Sequence, residues 1–143
     1  MVSLLNIIRN KGILMAKLNT ESLDKYRKES VINLEKEIKD NIVILIGMGT
    51  CGIAAGSEDT KQSLEMEFKK LGINNVIIKP AGCMGACYFE PIIEIFVPDM
   101  PTVLYGRVDG DIARKIVNEH VVNKRLVGDH IIDKPAVDIY KLK

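Results

Sequence analysis

No stretch of this 143-residue sequence is apolar for the roughly 18 residues that a membrane-spanning helix needs. Charge of one sign is missing too. The 20 basic side chains are offset by 19 acidic ones, the formal net charge is +1, and no run is basic enough to track a nucleic-acid backbone. Cysteine is scarce, with three residues, Cys51, Cys83 and Cys87. An odd number of thiols without a signal peptide argues against a disulfide scaffold and leaves metal, cluster or redox use open, beside a role as small buried hydrophobes. The opening "MVSLLNIIRNKGILMAKL" lacks a continuous apolar segment, because Asn6, Arg9, Asn10, Lys11 and Gly12 interrupt it, and it lacks a small-residue cleavage site. Met15 is therefore expected to be the natural start, with residues 1–14 an extension, and the expected location is the cytoplasm.

What is present suffices for a core: 47% of the residues are hydrophobic. The expected organisation is an N-terminal extension with one helix over 1–39, a domain over 40–125 and a C-terminal tail over 126–143. Residues 20–38 read as a helix, capped by Asn19 or Thr20, with a thin apolar stripe of Leu23, Tyr26, Leu34 and Ile38. The run "NIVILI" (41–46) is short, unbroken and rich in β-branched residues, as a strand buried on both faces would be. The glycine-rich "GMGTCGIAAG" leads into a helix, "SEDTKQSLEMEFKKLG", with Ser57 as the expected cap, Gly72 as its stop and Leu64, Phe68 and Leu71 facing inward. "NNVIIK" (74–79) is the next strand. Strand, helix and strand in succession imply a right-handed crossover and a parallel pair.

"PIIEIFV" (91–97) and "TVLYGRV" (102–108), joined by "PDMP", read as an antiparallel hairpin. "DGDIARKIVNEHVV" closes the domain as a helix capped by Asp109, with Ile112, Ile116 and Val121 facing in. The class is α/β. The order βαβ–ββα after an N-terminal helix is the thioredoxin-like topology, with a four-stranded mixed sheet and a short C-terminal tail. That tail carries Ile131, Ile132, Val137 and Ile139 without a helical period, which suggests docking on the domain or on another subunit.

Cys83 and Cys87 lie just past the end of a parallel strand, where open α/β sheets carry their functional loops. The spacing C-x-x-x-C, within "GCMGACYFEP", lets two sulfurs aim at one centre, and Gly82 and Gly85 allow a tight curl. Zinc, with its preference for four closed ligands, and a Cys83/Cys87 dithiol are the competing chemistries. Met48 and Met84 read as gap-fillers, Tyr88 and Phe89 as packing residues, and Glu90 as a loop or turn residue. His120 reads as a helix-terminal cation and His130 as a tail residue. The string G-M-G-T-C-G formally matches a dinucleotide loop, but "NNVIIKPAG" has no acidic residue for a ribose, and a hairpin follows instead of another βα unit.

"GTCGIAAG", "GCMGACYFEP" and "VLYGRV", in that order of elements, resemble the thioredoxin-like [2Fe–2S] ferredoxins over roughly residues 40–125. Within that family the sequence is most similar to the small ferredoxin-like subunit of NADP-reducing iron hydrogenases. The resemblance implies a ferredoxin-like electron-transfer subunit that is not an enzyme by itself. Single electrons would pass through a [2Fe–2S] cluster, if one is bound, to neighbouring flavoprotein or iron–sulfur subunits of an NAD(P)-linked complex. It implies Cys83 and Cys87 as ligands, matching the family's second pair. In the first loop, Gly47 and Gly52 stand where the family has cysteines, and Cys51 lies one place early. At most three thiol ligands are available, Cys51, Cys83 and Cys87. A cluster-free docking subunit on the same fold and a dithiol regulator are the alternative readings.

Overall fold

The structure, a computed structural model, describes residues 19–134. The expected start at Met15, the extension over 1–14, and Val137 and Ile139 lie outside the described residues. The chain divides into two compact units at Glu35/Lys36, inside helix α1 (Thr20–Asp40).

Helix α1 begins where Asn19 caps it: its Oδ1 accepts the Ser22 amide hydrogen at 2.8 Å, satisfying one of the orphan donors of a first turn. No residue of α1 is buried, and Leu23, Tyr26 and Leu34 of the expected stripe are exposed. In the second unit, Glu37 at the end of this helix ion-pairs with Lys79.

Strand β1 (Ile42–Gly47) is followed by two helices, α2 (Thr50–Ala55) and α3 (Ser57–Leu71), and then by β2 (Val76–Ala81). Strands β3 (Ile93–Phe96) and β4 (Val103–Tyr105) form the hairpin. Helix α4 (Gly110–Ile116) continues as a π-helical segment over Val117–Val122. A further strand, β5 (Ile131–Asp133), comes from the tail and pairs with β4. The sheet order is β2-β1-β3-β4-β5, with β1–β2 parallel and the remaining pairs antiparallel. The α/β class and the thioredoxin-like order hold; the sheet has five strands where four were expected. A three-residue strand has no period of its own, and only its pairing with β4 defines it.

Strand alternation sets the core. Ile46, Ile93 and Tyr105 form one row across the sheet, and Ile44, Ile95 and Val103 the next; all six are fully buried. Leu64 and Phe68 of α3 and Ala113, Ile116, Val117 and Val121 of the last helix complete the same cluster. Two links, the first buried and the second partly so, tie the helices to each other and to the sheet's far end. The Thr60 hydroxyl donates to the Val108 carbonyl at 2.5 Å, and Asn118 Nδ2 donates to Glu67 Oε1 at 2.9 Å.

Three sequence expectations change here. The residue capping α3 is Gly56, in the left-handed region with φ 98°, and Ser57 is already helical, with its hydroxyl buried and unpartnered among the described residues. Leu71, the last helical residue before Gly72, is exposed and does not face inward. His120 is fully buried rather than a solvated helix-end cation. Asp109 does cap α4, accepting from the amides of Asp111 and Ile112.

Candidate functional site

The two cysteine loops leave adjacent strands. Gly47 ends β1, and the Met48 amide donates to the carbonyl of Ala81, the last residue of β2. The chains are therefore neighbours at the point where each enters its loop. Gly49 rests on Cys83: a Cβ there would lie 3.3 Å from the Cys83 nitrogen and 3.4 Å from its Cβ. Helix α2 starts one residue later and carries Cys51, exposed, in its first turn. Gly52, on the same turn, faces back to the strand so closely that a Cβ would clash with the Gly47 carbonyl oxygen.

The second loop projects from the end of β2. Cys83 and Cys87 are both exposed, and their sulfurs lie 3.6 Å apart. Gly85, with φ 79°, makes the reversal that brings them together, and its amide donates to Cys83 Sγ at 3.4 Å. Cys87 opens a single 3₁₀ turn, Cys87–Phe89, held by the Phe89 amide on Ala86 and the Glu90 amide on Cys87. Among the described residues the cis peptide is Glu90–Pro91; Pro80 lies within β2.

Two features fix this loop to the rest of the sheet. The Arg107 amide donates to the Phe89 carbonyl, and the Arg107 guanidinium lies 4.8 Å over the Tyr88 ring and 5.7 Å from the Phe89 ring. A cation held over exposed aromatic faces contributes about 0.5–1 kcal/mol. The second is Glu90: its Oε2 accepts the Ile92 amide hydrogen at 2.9 Å, while its Oε1 lies 2.9 Å from where a Cβ of Gly47 would stand. The Glu90 carboxylate thus fills the space into which a side chain at position 47 would project. Tyr88 is 77% exposed, so it does not pack as expected, whereas Phe89 is only 38% exposed.

Arg107 and the Glu90–Gly47 contact are not visible as parts of a site in the sequence. "VLYGRV" holds Arg107 in plain sight, but nothing in its spacing shows that a residue 18 positions after Phe89 turns back onto it. The two histidines lie apart from the thiols in function. His120 Nδ1 is 3.0 Å from the Tyr105 hydroxyl, and His130 Nδ1 is 3.2 Å from the Gly106 carbonyl oxygen.

At a tetrahedral centre with metal–sulfur bonds of about 2.3 Å, two thiolates sit about 3.7–3.8 Å apart. The Cys83–Cys87 separation of 3.6 Å suits two ligands of one such metal. The other half of a [2Fe–2S] ligand set is not built in the same way. Positions 47 and 52 are glycines, one facing the Glu90 carboxylate and the other the strand backbone. Among the described residues, no three His, Cys, Asp or Glu side chains gather around a point that could hold one metal ion. A [2Fe–2S] cluster takes four protein ligands, and the residues of this chain fit one end of it and not the other.

The chain matches no protein-family model. It is 31% identical over 98 residues to the NADP-reducing hydrogenase subunit HndB of Solidesulfovibrio fructosivorans, a stretch covering 68% of this chain and 78% of that protein. Among solved structures, it is similar to a thioredoxin-like [2Fe–2S] ferredoxin from Aquifex aeolicus, with a TM-score of 0.58 and 20% identity, over 68% of this chain and 96% of that one. The crystal structure of the wild-type form of that ferredoxin gives a TM-score of 0.57 and 23% identity, over 66% of this chain and 99% of that one. With the strand order, the cysteine loops and this degree of identity in hand, the chain belongs to the family of the hydrogenase subunit HndB and has the fold of the thioredoxin-like [2Fe–2S] ferredoxins.

Proposed function

We propose that this chain is a small electron-transfer subunit, non-catalytic by itself, of a cytoplasmic multi-subunit NAD(P)-linked oxidoreductase, and that the complex is an iron hydrogenase. The observation that carries the reading is the 31% identity with a subunit of an NADP-reducing hydrogenase over 98 residues, 68% of this chain. Its partners would be the flavoprotein or catalytic iron–sulfur subunits of that complex. Cys83 and Cys87 are the residues that would hold one iron of a [2Fe–2S] cluster, and Cys51 is the one further thiol the chain can offer. A cluster held by three thiols of this chain would need its fourth ligand from elsewhere, so no electron-transfer step is assigned through it.

A second form of the role, a docking subunit on the same fold without a cluster of its own, is favoured by the first loop. Glycines stand at both family ligand positions there, and the Glu90 carboxylate faces one of them. Iron and acid-labile sulfide measured per chain, after anaerobic purification alone and with the partner subunits, separate the two forms. Two irons and two sulfides per chain support the electron-carrying form. An iron-free chain that still co-purifies stoichiometrically with its partners supports the docking form. An iron-free chain that joins no such complex removes both.

A further inference from the structure

We infer that Cys83 and Cys87, in the chain without iron, form a thiol–disulfide couple that exchanges two electrons with small-molecule disulfides. This goes beyond the subunit reading, since it concerns what the two thiols do when no metal holds them. Three observations carry it. The sulfurs are in contact, 3.6 Å apart, while a disulfide bond is about 2.05 Å long, so closure needs an approach of about 1.5 Å. Both thiols are exposed, so a substrate disulfide can reach them without opening the fold. The loop around Cys83 borders open space, since a side chain at Gly82 or Gly85 would meet nothing within 4 Å, whereas Cys87 is held in its 3₁₀ turn by backbone hydrogen bonds.

The same contacts divide the roles. Cys83 Sγ accepts the Gly85 amide hydrogen, and either sulfur can donate within the pair. Cys83, beside the open space at Gly82 and Gly85, is the attacking sulfur, and Cys87, held in its 3₁₀ turn, is the resolving one. Cys83 thiolate attacks one sulfur of R–S–S–R, forming a mixed disulfide and releasing R–S⁻, which takes up a proton. Cys87 thiolate then attacks Cys83 Sγ, breaking the mixed disulfide and releasing the second R–S⁻. In balance, two thiols of the protein are oxidised to one disulfide and R–S–S–R is reduced to two R–SH. Cys51, on a separate helix, takes no part.

The test is performed on the full-length, iron-free chain, anaerobically reduced and then incubated with oxidised glutathione. Alkylation of the remaining thiols and intact-mass measurement follow. The expected result is a fall from three alkylatable thiols to one, that one being Cys51, with the loss of two hydrogens and no retained glutathione on Cys83 or Cys87. Cys51→Ser closes as the wild type does. Cys87→Ser accumulates the mixed disulfide on Cys83, and Cys83→Ser forms no internal disulfide, with circular dichroism confirming that each variant is folded. Three thiols still free, or glutathione adducts persisting on both loop cysteines of the wild type, overturn the inference. Iron that cannot be removed and shields both thiols overturns it too, and that result supports the cluster-bearing form of the subunit, so the two readings fail separately.

Discussion

His120 lies fully buried in the π-helical segment, its Nδ1 facing the Tyr105 hydroxyl, which in turn accepts the Val127 amide hydrogen at 3.3 Å. The other ring nitrogen, Nε2, has no partner among the described residues. Burial, aided by the charge of Lys124, lowers the pKa of His120 to about 4. In the unfolded chain the ring titrates near 6.5. Between those values the unfolded state binds more protons, so the stability that neutral His120 contributes is complete above about pH 6.5 and is lost as pH falls toward about 4. The expected outcome is a thermal midpoint that drops across this window in the wild type and drops less steeply in His120→Gln. Parallel profiles for the two proteins would clear His120 of that role. Burial of this kind cannot be read from "IVNEHVV". The tyrosine that meets the ring is 15 residues away on a strand, and the ring itself lies in a segment of π geometry.

At the scale of the element, the junction of β1 with α2 is the tightest in the site. An alanine methyl at position 52 would press on the Gly47 carbonyl, and backbone cannot swing aside as a side chain can. Gly52→Ala should cost about 1–3 kcal/mol in urea unfolding, in the range of core overpacking. Gly82→Ala, which meets open space, should stay within about 0.5 kcal/mol of the wild type. Equal stability of the two variants would show that α2 can shift away from the strand. The elements themselves are legible where one physical signal dominates. The β-branched run marks β1, glycine stops α3 at position 72, and an aspartate opens α4. Loop C-x-x-x-C spacing also marks Cys83 and Cys87 as a pair, and the sulfurs do meet. Signals that depend on partners distant in sequence are not legible. Ser57 looks like a cap but is a buried first-turn residue, because Gly56 already supplies the sharp turn between α2 and α3. Glu90 looks like a loop residue, and its contact with Gly47 exists only once β1 and β3 are paired.

Over the whole molecule, the tail is part of the sheet. The Gly106 amide donates to the His130 carbonyl, and Ile132 and Phe89 of the cysteine loop both crowd the position a Gly106 side chain would take. Removing residues 128–143 therefore strips β4 of its outer neighbour and uncovers the support beneath the loop. The expected cost is about 1–3 kcal/mol, from the half-buried Ile131 and Ile132 and the backbone hydrogen bonds to β4, seen as a midpoint lowered by several degrees. An unchanged melting curve would mean that β5 is an ornament of the sheet. The opposite edge is β2, which among the described residues pairs with β1 alone. It carries Lys79 and Pro80 next to the thiols. Proline offers no amide hydrogen to an incoming strand, and a lysine at an open edge resists being enclosed by one. Another polypeptide is thus discouraged from zipping onto this border and lengthening the sheet. A visitor to the sulfurs has to arrive end-on, across the tips of the loops.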